Sequence, residues 1–107
     1  MEMEKQKKHR TIYLSGKISG EDPQKCWEKF AKAEDDMRAK GFNVINPLKI
    51  EKPKCLIWEH FMLRDLRELS RKCDCLYALA DWQESVGAAI EVAFAQGTGR
   101  IDILYEI

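Results

Sequence analysis

An α/β domain with a four-stranded parallel sheet, strand order 2-1-3-4 and helices on both faces is the fold this sequence predicts. Three observations predict it. Short β-rich runs alternate with longer helical patterns in the order β-α-β-α-β-α-β. The third β-run, Cys75–Ala80, is continuously apolar, as befits a central parallel strand covered on both faces. The connections are short, and right-handed crossovers between parallel strands then give the order 2-1-3-4.

Each element carries its own signals. Residues 1–10 are charged and aperiodic, which predicts a flexible arm ahead of one domain over residues 11–107. Thr11–Ser15 is the first strand. It runs into Gly16, Lys17, Ile18, Ser19 and Gly20, where glycines and small hydroxyls let backbone N–H groups approach an anion, although a plain tight βα turn explains the same residues. Asp22 and Pro23 cap and open a helix to about Lys40, with a stripe of Trp27, Phe30, Ala33, then Glu34 or Met37, and Gly41 as its stop. Phe42–Pro47 is the second strand, and Leu48–Cys55 a lysine-rich loop that could fold over the strand ends or simply connect.

The next helix, about Leu56–Lys72, has an apolar stripe of Trp58, Phe61, Met62, Leu66 and Leu69. Asp65 falls inside that stripe, three residues after Met62 and four before Leu69. It therefore points inward, or forms an ion pair with Arg64 or Arg67; both arginines and Glu68 lie off the stripe, where solvent is expected. Asp74 reads as a turn residue before the third strand. Asp81–Glu84 links that strand to a helix capped by Ser85 and stopped by Gly97. Between cap and stop nearly every residue is small or apolar, so this helix should be buried all round, with Glu91 in its midst. A carboxylate there needs a partner, a proton or a task. Arg100–Tyr105 alternates like an edge strand.

Composition narrows the function classes. Eighteen basic and eighteen acidic residues cancel, which argues against a nucleic-acid polymer held by bulk charge. No apolar run approaches the roughly 20 residues of a membrane helix, and the N-terminus lacks the apolar core of a signal peptide. Cys26, Cys55, Cys73 and Cys75 lack metal-ligand spacing; they read as reduced thiols of a cytoplasmic protein with neither metal nor cofactor.

The strand order puts the topological switch between strands one and three, where ligands bind beyond the carboxyl ends of parallel strands. The Ser15–Gly20 and Asp81–Ser85 loops lie at that edge. Glu91 flanks the crevice and Asp65 could face it. With Tyr13 on the strand, two inward carboxylates near a phosphate-friendly loop suit N-glycosidic chemistry, one attacking or stabilising C1′ and the other handling protons or orienting the sugar.

Ile12-Tyr13-Leu14-Ser15-Gly16, Asp65-Leu66 with Leu69, and Ser85-Val86-Gly87-Ala88-Ala89-Ile90-Glu91 resemble the nucleoside 2-deoxyribosyltransferase superfamily. The Ser-x-Gly-x-x-x-Glu version is most similar to its 2′-deoxynucleoside 5′-phosphate N-hydrolase branch. With Asn46-Pro47 and Trp82, the chain also resembles a compact group of phage and bacterial relatives without assigned function. The resemblance spans about residues 11–105. It implies a flavodoxin-like three-layer sandwich and a homodimer or larger assembly. It also implies Glu91 as nucleophile, Asp65 at the sugar and the base proton, and Tyr13 orienting Glu91. Ser15, the Gly16–Gly20 loop and Ser85, with Trp82 and Gly87 beside them, would hold a nucleoside or its 5′-phosphate.

Two other classes fit the same residues. One is a nucleotide sensor that binds without turnover; the other is a structural subunit whose apolar third helix is an interface.

Overall fold

A computed structural model of the chain describes residues 10–107. Apart from Arg10, the expected charged arm lies outside the described residues. Four parallel strands form one sheet in the order β2-β1-β3-β4: β1 Thr11–Ser15, β2 Asn43–Ile45, β3 Cys75–Ala78 and β4 Asp102–Tyr105. Helices α1 (Pro23–Ala39), α2 (Trp58–Lys72) and α3 (Val86–Thr98) connect them, with single 3-10 turns at Pro47–Lys49 and Trp82–Glu84. This is the flavodoxin-like three-layer architecture the sequence implied.

The two faces of the sheet follow the period of the strands. Ile12 and Leu14 of β1, with Cys75 and Tyr77 of β3, pack against Cys26, Phe30, Ala33 and Met37 of α1. Tyr13 of β1, with Leu76 and Ala78 of β3, packs on the opposite face against Leu69 of α2 and Val92 and Ala95 of α3. A one-residue shift would exchange the two sets, so the alternation fixes which strand residues meet α2 and α3.

Four expectations are corrected. Trp27 is exposed and Cys26 takes its place in the α1 stripe; the indole lies instead near Lys49 Nζ, 5.9 Å from the ring centroid. Helix α3 runs through Gly97 and stops at Gly99, whose φ of 70° gives the left-handed cap that Gly97 does not supply. That helix is not buried all round. Ala88, Glu91, Val92 and Ala95 face inward, whereas Val86 is 72% and Ile90 37% exposed, because one sheet covers one side of a helix. The strands are also shorter than their apolar runs: Leu79 and Ala80 follow β3, and Arg100 and Ile101 precede β4.

Candidate active site

The Asp22 carboxylate caps α1 by accepting from Lys25 N–H, which turns the chain sharply after the glycine loop. The loop is then locked from below. Asp81 Oδ1 accepts from Lys17 N–H at 3.1 Å, and Lys29 Nζ donates to Lys17 O at 2.8 Å and to Asp81 Oδ2 at 2.6 Å. Gly16 has a packing reason to be glycine. A Cβ there would lie 3.0 Å from Leu79 Cβ and 3.1 Å from Asp81 Oδ1. Gly20 serves a turn, with φ of 80°.

Above this loop is a cavity of about 860 Å³, within the range of small-molecule sites. Gly16, Lys17, Ile18 and Ser19 form one side, and Ser85, Val86, Gly87 and Ala88 at the start of α3 form another. Ser85 Oγ accepts from Ala88 N–H at 3.1 Å, so this N-terminus is capped while still opening on the cavity. The roof is the segment after β2, through Pro47, Leu48, Ile50, Lys52 and Leu56, together with Trp58, Phe61 and Met62 of α2. That wall is mainly apolar and aromatic.

Glu91 and Asp65 both line this cavity, on the same side of the sheet. Glu91 is almost fully buried and held by two hydroxyls. Tyr13 Oη donates to its Oε2 at 2.8 Å and Ser15 Oγ to its Oε1 at 2.7 Å. Burial pushes its pKa up to about 8; the Ser15 hydrogen bond opposes this, the Asp65 charge adds to it, and the Tyr13 hydrogen bond opposes it again. Burial, then the neighbouring Glu91, raises Tyr13 well above the ordinary tyrosine value, so it remains a protonated donor.

Asp65 is raised by burial, against the opposing pull of Arg64. Arg64 is the main departure from expectation. It is not solvated: its side chain is 15% exposed and pairs with Asp65 Oδ1 through both Nε (2.9 Å) and Nη2 (2.7 Å). The ion-pair alternative for Asp65 and its inward direction therefore hold together. The signal for Arg64 was its place three residues after Phe61, on whose ring it sits at 5.2 Å.

The remaining expected site residues divide. Lys17, Ile18, Ser19, Ser85 and Gly87 line the cavity. Ser15 and Tyr13 are outside the lining and reach the site through their hydrogen bonds to Glu91. Trp82 is not part of the lining and packs on Tyr105, ring centroids 5.9 Å apart. Gly20 is likewise outside the lining.

A third inward carboxylate, Glu34, sits on the other face of the sheet. It accepts from Arg38, Asn46 and Lys49. Burial would raise it, but those three donors outweigh burial and hold it below the ordinary glutamate value. Its task is to anchor the segment after β2. Among the described residues no group of His, Cys, Asp and Glu could hold a metal ion, and no helix is long and apolar enough to cross a membrane. All four cysteines are free thiols.

Residues 10–105 match a family described as a domain of unknown function, DUF4406, and the chain belongs to that family. No curated protein matches it.

Proposed function

We propose that this protein cleaves or transfers the N-glycosidic bond of (deoxy)nucleosides or their 5′-monophosphates, with Glu91 as a carboxylate nucleophile. The observation that carries the reading is Glu91 itself. It is a buried carboxylate held by two hydroxyls rather than by a lysine or arginine, in a cavity it shares with Asp65. Likeness of its motifs to the nucleoside 2-deoxyribosyltransferase superfamily supports the same reading.

In this mechanism Tyr13 and Ser15 fix both Glu91 oxygens so that one can attack C1′. The bond from C1′ to the base nitrogen breaks and its electron pair leaves with the base, which takes a proton from Asp65. Burial favours the protonated form of Asp65 and Arg64 opposes it; Arg64 engages only Oδ1, which leaves Oδ2 for the transferred proton. Water or a second base then attacks C1′ and releases the Glu91 carboxylate; the incoming nucleophile's proton returns to Asp65. Lys17, Ser19 and Ser85 lie where a 5′-phosphate would be held, and the apolar roof is a surface for the base. The nucleophile must be ionised, so turnover rises with pH toward about 8.

A base-release screen tests this: deoxy- and ribonucleosides, their monophosphates and NAD, each incubated with the protein and with Glu91→Ala. The expected loss in the variant is on the order of 10³-fold. Equal release by both proteins would overturn the mechanism.

The Arg64–Asp65 ion pair favours one second reading, a sensor that binds nucleotides without turnover, because it engages the proton donor. Such a protein would gain thermal stability with ligand and release no base. Under either reading the exposed apolar side of α3 pairs with a second copy, and the free thiols fit a reducing compartment such as the cytoplasm.

A further inference from the structure

We propose that Arg64 is a positioning residue that joins the cavity roof to Asp65, so that the orientation of the carboxylate and the closed position of the roof are one event. A guanidinium has five N–H donors, and here all five are engaged. Two go to Asp65 Oδ1. The other three reach the backbone of the roof: Nη2 donates to Pro47 O at 3.2 Å, and Nη1 to Ile50 O at 3.4 Å and Glu51 O at 3.3 Å. Arg64 therefore has no donor left for a ligand, and its place at the cavity wall is explained as a strut rather than as an anion contact.

The roof depends on that strut. Its first turn is fixed to the opposite layer, where Asn46 and Lys49 donate to Glu34. Farther along, residues 52–56 make no hydrogen bond or ion pair among the described residues. Between the fixed first turn and the start of α2, the Ile50 and Glu51 carbonyls on Arg64 are the roof's polar attachment among the described residues, and Pro47 O ties the same guanidinium to the first turn. Asp65 in turn keeps Arg64 in place by neutralising it at an 11–15% exposed site, where an unpaired guanidinium would be drawn toward water. Asp65 thus acts on the roof without touching it. A single lysine ammonium has no planar fork to span the carboxylate and three carbonyls together.

This deepens the reading of the cavity as a nucleotide site, and its test uses ligand-free protein, so that absence of base release leaves it standing. Cys55, in the roof segment, is exposed while Cys26, Cys73 and Cys75 are buried, so a thiol-specific nitroxide reports on the roof, with Cys55→Ser as the labelling control. In the full-length labelled protein, Arg64→Ala should shorten the label's correlation time by about twofold, and Asp65→Asn should do the same. Arg64→Lys should resemble Arg64→Ala. Added guanidinium ion should restore the slow spectrum in Arg64→Ala but not in the double variant with Asp65→Asn. Circular dichroism of each variant establishes that it is folded, and Asp65→Asn is the mildest of them. An Asp65→Asn spectrum identical to the parent's, or an Arg64→Ala variant indifferent to guanidinium, overturns the coupling.

Discussion

The Tyr13 hydroxyl donates to Glu91 Oε2 at 2.8 Å, joining a strand residue to a helix residue 78 positions later. Ser15, two residues along the same strand face, reaches the other oxygen of that carboxylate at 2.7 Å. The period of a strand aims both hydroxyls at one point, and Glu91 is the inward group of α3 opposite them. Each hydroxyl is a polar group that a buried strand tolerates only with a partner.

Removing either hydroxyl should move the titration of Glu91. Both donations favour its ionised form, so Ser15→Ala and Tyr13→Phe raise its pKa above about 8, with the larger effect from Ser15. Activity at neutral pH falls and the rising limb of the pH–rate profile moves alkaline. Carbon-detected NMR titration of the labelled carboxyl checks the same shift without needing turnover. A titration unchanged in both variants would contradict the assignment.

Stability should depend on pH through the same group. The folded pKa of Glu91, about 8, lies above its ordinary value of 4.5. Between those values the folded protein holds a proton that the unfolded chain has released, so stability falls as pH rises through this window. Below it the contribution is fully present; above it the loss is complete. Glu91→Gln keeps the shape without the charge, and its stability should exceed the parent's by on the order of 1 kcal/mol or more at about pH 9. Urea unfolding of both proteins at about pH 5 and about pH 9 measures it.

Two glycines near the site should respond differently to alanine. At Gly16 the new Cβ would press on Leu79 and Asp81, neighbours fixed by the sheet and by Lys29, and the expected loss is about 1–3 kcal/mol. At Gly87 the nearest atom would be Met62 Sδ at 3.5 Å, an ordinary contact. Gly87→Ala should therefore melt within a few degrees of the parent, yet narrow the cavity and weaken ligand binding. Paired thermal melts with and without a deoxynucleoside monophosphate separate the two effects.

On the outer side of α3, Ile90→Glu places a charge in the apolar face formed with Val86 and Ala93. If a second copy covers this face, sedimentation shows the parent as a dimer and the variant as a monomer with its helix content intact. A monomeric parent would remove the homodimer from the proposed function.

Much of this architecture was legible in the chain. The continuous apolar run at Cys75–Ala80 marked a central strand, and the alternation along Thr11–Ser15 separated Ile12 and Leu14 from Tyr13 and Ser15. Helical spacing put Asp65 on an inward face. Glu91 was expected inside because its helix was expected to be buried all round, and the helix proved to bury one face only, the one that carries Glu91. These are local properties: periodicity states which way a side chain points from its own helix or strand axis. It does not state what stands opposite. Only tertiary packing brought Ser15 and Tyr13 to Glu91, turned Arg64 from an expected surface charge into the strut of the cavity roof, and left Trp82 on Tyr105. The reason is physical. The roof that receives Arg64 has no repeating pattern, its acceptors are backbone carbonyls common to every residue, and a buried charge takes the partners that packing brings within reach. The sequence by itself determined the layers and the inward carboxylates; the fold in three dimensions decided their company.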